Sequence, residues 1–235
     1  MKKSYAKFLL QKTKDDYNKI STKFSSTRRF LSSDIIALEG YLSENNELLD
    51  LGCGNGRFYQ LAKEKRTKYL GADISENLLK SAKTNYPEAN FLLLNDFIKL
   101  PFDDEQFDIV VSLAVFHHIP STPFRLKYLS EINRVLKKNG ILILTVWDLK
   151  KNSKAKKILF KSLLKKAIGL SPLDWNDIFY PFKDGENMVD RYLHVFSPQE
   201  LSGFVQSAGF KVEKIESIQR GKRGDFWNIQ IIAKK

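Results

Sequence analysis

An apolar run, Glu47-Leu48-Leu49-Asp50-Leu51, ends directly in Gly52-Cys53-Gly54-Asn55-Gly56-Arg57. A strand that stops in glycines at every second position, with a helical pattern beyond, constrains the fold more than any other feature. Such a loop lets a ligand lie against bare backbone, and the helix behind it offers unpaired N–H groups. Four more apolar runs follow, at 69–73, 91–94, 107–114 and 140–147. Helix-length segments separate them. One begins near Ser75-Glu76-Asn77; another begins at Thr122-Pro123 and stops at Asn139-Gly140. This alternation predicts an α/β fold with a mostly parallel sheet covered by helices on both faces. Further on, Ser197-Pro198-Gln199-Glu200 reads as a capped helix start, with the helix closing near Gly209. Runs at 211–218 and 226–233 flank a glycine-containing loop, 219–225, and predict an antiparallel hairpin at the sheet edge.

The acids after the strands narrow the ligand. The dinucleotide fingerprint needs a third small residue where Arg57 stands, and the Gly-x4-Gly-Lys phosphate loop is absent. Asp50 precedes the first glycine, where a carboxylate repels a pyrophosphate but suits an amino group. Asp73 ends the second run and suits ribose hydroxyls. Asp96, beside Asn95, follows the third run and suits an adenine amino group. Ribose, adenine and an ammonium without phosphate describe S-adenosylmethionine. The expected cofactor surface is Asp50, Gly52, Gly54, Gly56, Asp73, Ile74, Asn95, Asp96, Phe97 and Leu113.

The strings LLDLGCGNGR, LGADIS, LLNDFIKLPFDDEQFDIVVSLAVFHHI and LKKNGILILTVW resemble the class I S-adenosylmethionine-dependent methyltransferases. The resemblance implies a Rossmann-like, seven-stranded, mostly parallel sheet with an antiparallel C-terminal edge hairpin. By the same resemblance Asp50 and the glycines face the methionine part, Asp73 the ribose and Asp96 the adenine.

Composition bounds the remainder. At 235 residues the chain suits one methyltransferase domain over 1–235. A basic helical flank covers 1–40, and a basic insertion covers 148–190. The insertion carries eight lysines between Lys150 and Lys166 and no acid among them. Apolar residues make up 43%, enough for a real core, yet no run approaches the ~18 residues of a membrane span. Membrane contact is therefore not expected. The N-terminus is basic but lacks the apolar stretch of a signal peptide. Cys53 is the one cysteine, so no disulfide framework or metal cluster is expected and a cytoplasmic setting is the default. A net charge of +12 suggests a polyanionic partner. The lysine run suits a lid, a tRNA contact or, less well, a bilayer surface.

The acceptor leaves its own signature. A ring carbon often needs a cysteine or strong base, and Cys53 sits inside the cofactor loop. The Asn/Asp-Pro-Pro-Tyr motif of amine methylation is replaced by Val115-Phe116-His117-His118-Ile119-Pro120. A carboxylate needs only orientation by cations, preferably the fork of an arginine. The segment DYNKISTKFSSTRR at 16–29, with VFHH, DIFYPFK and RYLHVF, resembles the family that methylates carboxymethyl-uridine at the tRNA wobble position. Tyr17, Ile20, Phe24, Ser25, Thr27 and Arg28 match one of its strings; Arg191, Tyr192 and His194 match its Arg-Tyr-Tyr-His. Leu193 replaces the second tyrosine, and the aromatic–proline pair expected after Arg29 is missing. The resemblance implies that Arg28 and Arg191, helped by Tyr192 and His194, orient the carboxylate and that His117 lines the transfer site. It also implies tRNA as partner and a small zinc-binding activator subunit in some members. A small-molecule methyltransferase acting on a quinone, lipid precursor or secondary metabolite is the alternative, with the insertion as a lid. A binding protein that keeps the fold without turnover is a third reading.

Overall fold

The computed structural model describes residues 1–184, 187–220 and 226–235. In chain order its elements are α1 (Lys3–Ser26), α2 (Ser33–Ile36), β1 (Glu47–Leu51), α3 (Tyr59–Glu64), β2 (Lys68–Asp73), α4 (Glu76–Asn85), β3 (Asn90–Leu93) and β4 (Phe107–Leu113). The chain continues through α5 (Thr122–Val135), β5 (Leu136–Trp147), α6 (Ser153–Ala167), β6 (Asp177–Asp184), β7 (Asn187–His194), α7 (Pro198–Ser207), β8 (Lys211–Gln219) and β9 (Trp227–Lys234).

Seven strands form one sheet in the order β3-β2-β1-β4-β5-β9-β8. The first five run parallel, and β9 and β8 are antiparallel. This is the expected class I architecture. The central strands are buried on both faces, so they read as continuous apolar runs rather than alternating ones. Their side chains still divide by parity. Leu49, Leu51, Val110, Leu142 and Leu144 enter the core on one face; Leu48, Ile109, Val111 and Ile143 enter the core on the other. Strand order reverses between β1 and β4, and the crevice at their carboxyl ends is where ligands enter such sheets.

One local expectation needs adjusting. α5 ends at Val135, not at Asn139-Gly140, because Leu136 already starts β5. Asn139 takes a positive φ of 63°, and a Cβ at Gly140 would lie 2.8 Å from the Lys137 carbonyl oxygen. The turn is therefore inside the strand rather than at a helix end. RYLHVF, open between strand and linker, begins as β7, which pairs with β6 as a separate two-stranded antiparallel sheet. In the C-terminal hairpin, 221–225 of the expected loop lie outside the described residues.

α1 buries Ala6, Leu9, Thr13, Asp16 and Ile20, spaced at helical intervals of three and four, against α4 and β7. That packing carries Tyr17, Phe24 and Arg28 over the carboxyl ends of the strands.

Candidate functional site

The glycine loop is shaped from beneath. Gly52 and Cys53 donate to the Ala72 carbonyl at 2.7 and 3.1 Å. Gly54 donates to Asp73 Oδ2 at 2.8 Å, and Ser75 donates to Asp73 Oδ1 at 2.8 Å. Asp73 is thus fixed by backbone N–H groups at the end of β2. Burial raises its carboxyl above the ordinary range, against the pull of those same N–H groups. Asn55 donates to the Arg28 carbonyl at 3.0 Å and ties the end of α1 to the loop. Gly52 has φ +83°, and a Cβ there would meet Val115 Cγ2 at 2.2 Å. Gly52→Ala is therefore expected to weaken cofactor binding at least tenfold, because the substituted residue resists this φ by roughly 1–2 kcal/mol before any clash. Calorimetric titration checks this; wild-type affinity in the variant would show that the loop does not hold the ligand.

Above the loop lies a cleft whose lining includes Gly52, Gly54, Asp73, Ile74, Phe97 and Leu113, six of the ten expected cofactor residues. The other four are placed differently. Asp50 is buried below the loop, where parity puts it beside Leu48, and accepts from the Tyr69 hydroxyl at 2.8 Å. Burial pushes its carboxyl up to about 7. Gly56 is not among the residues lining the cleft, and a Cβ there would lie 2.8 and 3.1 Å from Phe91 and Ala82. Asn95 and Asp96 are exposed, and Asp96 Oδ1 accepts from the N–H groups of Ile98 and Lys99 at 2.6 and 2.9 Å. The cleft joins bare glycine backbone, one anchored buried carboxylate, apolar walls and three arginines, Arg28, Arg57 and Arg220. That set fits a nucleoside carrying both a cationic centre and a carboxylate, as in S-adenosylmethionine. Asp73 would hold the ribose hydroxyls, with Ile74 and Phe97 against the base.

His118, not His117, is the histidine that lines the cleft. His117 is fully buried and does not line the cleft; its Nδ1 accepts from the Trp147 N–H at 3.3 Å, and its ring packs on Trp147. Burial holds it far below its ordinary range, with His118 and Arg191 adding to the shift. His118 does line the cleft. Its Nδ1 lies 2.9 Å from the Tyr192 carbonyl, which can only accept, so Nδ1 carries the proton. Nε2 is then the acceptor for the Tyr17 hydroxyl at 2.8 Å. Burial, then the charge of Arg191, lowers His118 to about 3, against the pull of the Tyr192 carbonyl, so it is neutral at physiological pH.

A second cavity of about 430 Å³ adjoins the cleft; Arg28, Trp147 and Arg220 line both. Its walls include Tyr180, Phe182, Phe226 and Trp227, and Arg191 projects into it. Arg191 is only 3% exposed. Its guanidinium lies 5.0 Å from the Trp147 ring centre and 4.8 Å from that of Phe182. Its Nε and Nη1 are buried without a hydrogen-bond partner among the described residues.

Tyr192 and His194 do not join Arg191. Successive strand residues point to opposite faces, and these two point into the core. The Tyr192 hydroxyl accepts from Arg125 Nη2 at 3.0 Å. His194 sits between Asp177 Oδ1 (2.6 Å) and Glu200 Oε1 (2.9 Å). Arg28 is half-buried at the junction of the two cavities, over the Phe24 ring at 3.9 Å. Sequence reading passed over Arg57 and Arg220 as site residues; Trp147, expected as a core or pocket-wall aromatic, lines both cavities. Arg57 was signalled by its place directly after Gly56; Arg220 carried no local signal.

Comparison with known proteins agrees with this geometry. Residues 49–144 match the methyltransferase domain family. A putative methyltransferase of Encephalitozoon cuniculi is 32% identical, over 83% of this chain and 85% of that protein. The tRNA (carboxymethyluridine(34)-5-O)-methyltransferase of Schizosaccharomyces pombe is 28% identical, over 93% of this chain and 94% of its own. Among solved structures, an S-adenosylmethionine-dependent methyltransferase from Methanosarcina mazei superposes with a TM-score of 0.72 at 22% identity, over 85% of this chain and 96% of that one. The chain therefore belongs to the class I S-adenosylmethionine-dependent methyltransferases, and it is an enzyme with S-adenosylmethionine as its cofactor.

Proposed function

We propose that the methyl acceptor is a carboxylate, the carboxymethyl group of a modified wobble uridine in tRNA. The observation that carries this reading is Arg191, a buried guanidinium whose Nε and Nη1 have no hydrogen-bond partner among the described residues, in an aromatic-walled cavity beside the cofactor cleft. Burying a charge is costly, and the rings of Trp147 and Phe182 offset only part of that cost, so a group of opposite sign joining Arg191 would stabilise it. A planar fork between rings suits a carboxylate borne on a flat base. The kinship with the fission-yeast tRNA enzyme supports the same acceptor.

S-adenosylmethionine supplies a methyl group already activated on a sulfonium. A carboxylate with a pKa near ~4 is ionised at neutral pH, so no base has to take a proton from it. Arg191 orients the acceptor, and Arg28 closes the junction between acceptor and cofactor. Neutral His118 and the Tyr17 hydroxyl add polar atoms to the cleft without adding a charge that would repel the donor. Tyr192, His194 and His117 act from behind, by fixing β7 and Trp147. The exposed lysines of α6 supply a surface for the tRNA backbone.

The test is incubation of the enzyme with methyl-labelled S-adenosylmethionine and bulk tRNA that carries the unesterified carboxymethyl group, followed by nucleoside analysis. Label is expected in an alkali-labile ester on uridine. Label that enters only small-molecule extracts would replace this acceptor with a free metabolite.

A further inference from the structure

Four arginines meet where the two cavities join, and they come from four separate parts of the chain. Arg28 follows α1, Arg57 follows the glycine loop, Arg191 lies in β7 and Arg220 lies just past β8. Arg220 lines both cavities, and with Arg57 it also lines a small recess beside Asn228. Arg66, Arg125 and Arg134 each face a carboxylate, at 3.7, 3.3 and 2.8 Å. None of the four junction arginines makes an ion pair among the described residues.

Each of the nearby acids already holds at least one hydrogen bond. Asp73 takes the N–H groups of Gly54 and Ser75. Asp34 Oδ2 takes the Asn228 amide at 2.7 Å, while its Oδ1 is buried without a hydrogen-bond partner among the described residues, in the recess that Arg57 and Arg220 line; Asp148 takes the Ser217 hydroxyl at 2.8 Å. Asp16, which feels the charge of Arg191, is paired with Lys12 at 2.6 Å. Burial, with repulsion from Arg220, lowers Arg28 to about 9 and Arg57 to about 10. Both remain charged at neutral pH; Asp34 and Asp50 attract Arg57 without pairing with it, and among the described residues no carboxylate pairs with Arg28, Arg191 or Arg220.

The anions of the proposed reaction can be counted against these cations. An acceptor carboxylate uses the fork of Arg191, and the donor carries one carboxylate of its own, within reach of Arg28 at the glycine loop. Arg57 and Arg220 remain. Resting on the tRNA reading above, we propose that Arg57 and Arg220 hold a backbone phosphate of the nucleotide whose base enters the acceptor cavity. The enzyme then selects a carboxylate borne on a polynucleotide strand over a free carboxylic acid.

The test uses the full chain with Arg220→Gln, Arg220→Lys and Arg57→Gln. Steady-state kinetics are measured on tRNA at several salt concentrations, with free 5-carboxymethyluridine as a competitor and S-adenosylmethionine titrated separately. For Arg220→Gln, KM for tRNA is expected to rise about tenfold with kcat unchanged. The log–log salt slope of kcat/KM is expected to become shallower by about 0.7, the share of one single-strand phosphate. Arg220→Lys restores most of the loss, Arg57→Gln repeats it, and the nucleoside's inhibition constant and the cofactor's Kd stay at wild-type values. An unchanged KM and salt slope in Arg220→Gln and Arg57→Gln overturns the phosphate assignment alone. A parallel loss in nucleoside inhibition reassigns Arg220 to the base or its carboxylate, and a loss of cofactor affinity reassigns it to the donor; either overturns the proposal. If the wild-type enzyme forms no ester on tRNA, the acceptor reading itself falls and this assignment with it.

Discussion

Replacing Arg191 with alanine is expected to lower kcat/KM for the acceptor about a thousandfold while the affinity for S-adenosylmethionine stays within about twofold. The reasoning starts from burial. Arg191 is almost wholly removed from water, its Nε and Nη1 have no partner among the described residues, and its flat faces lie against Trp147 and Phe182. A carboxylate entering this slot meets two charge-assisted hydrogen bonds at about 1.5–3 kcal/mol each. Losing about 4 kcal/mol of that stabilisation corresponds to roughly three orders of magnitude in rate. Arg191→Lys keeps the charge but not the planar fork, so its expected loss is smaller, about ten- to a hundredfold. Arg191 lines the acceptor cavity and not the cofactor cleft, so the two functions should separate. Initial-rate kinetics on tRNA and calorimetry with the cofactor measure them independently. A parallel fall in cofactor affinity would move Arg191 out of the acceptor role.

The parts of the fold set by short-range pattern were readable in the sequence. The β1–glycine loop junction, the Ser75 cap, whose Oγ accepts from Leu78 N–H at 3.3 Å, and the Ser197 cap all depend on neighbours within four residues. The site was harder, because its contacts join residues far apart in the chain. Tyr17 meets His118, His118 meets the Tyr192 carbonyl, and Arg125 meets Asp177. No local spacing encodes such pairs. The histidine doublet shows the limit most clearly. In the tight turn Phe116–His118, adjacent side chains point in different directions, and only the packing of Trp147 and Tyr17 decides which ring reaches the cleft. Asp50 and Gly56 were taken as cofactor-facing because the motif is contiguous; in the fold Asp50 accepts from Tyr69 beneath the loop, and a Cβ at Gly56 would meet the Phe91 ring. One misreading was avoidable. The run at 177–183, the Asp184-Gly185 pair and RYLH together spell a hairpin. Reading them as one would have set Arg191 apart from Tyr192 and His194 by the two-residue period alone. The Ser197 capping box was half right: Glu200 donates its N–H to Ser197 Oγ, but its carboxylate turns to His194.

That turn of Glu200 belongs to a buried network on which the largest stability effect is expected: Asp177→Ala should destabilise the protein by about 3–5 kcal/mol. The Asp177 side chain is fully buried and receives Arg125 Nη2 at 3.3 Å, faces His194 Nδ1 at 2.6 Å and accepts from the Asp174 N–H at 3.0 Å. Arg125 is itself buried and also reaches the Ile119 carbonyl and the Tyr192 hydroxyl, at 3.0 Å each. Through these contacts α5 and α7 of the main fold grip β6 and β7 of the insertion. Removing the carboxylate leaves a buried guanidinium without its counter-charge, which is worse than never having built the pair. A double replacement, Arg125→Met with Asp177→Leu, should therefore lose much less than the sum of the two single changes. The pH dependence has a definite sign. Burial opposes ionisation of Asp177 and Glu200, but the His194 hydrogen bonds and the charge of Arg125 outweigh it and hold both carboxyls below the ordinary range. Groups depressed in this way stabilise the fold fully above their unfolded pKa, near ~4, and lose that contribution as pH falls through the folded value. The gap between wild type and Asp177→Ala should thus stay level from about pH 7 to 5 and close below about 4. Thermal unfolding reads the gap as a Tm drop of roughly 10 °C near neutrality. A drop of only one or two degrees, unchanged in acid, would mean that the apolar packing of Leu193, Ile178 and Val195 holds the insertion without the network. Because Arg191 rides on the same strand one residue from Tyr192, loss of the network should also lower acceptor turnover before the protein unfolds, and Asp177→Ala at a temperature well below its Tm tests that directly.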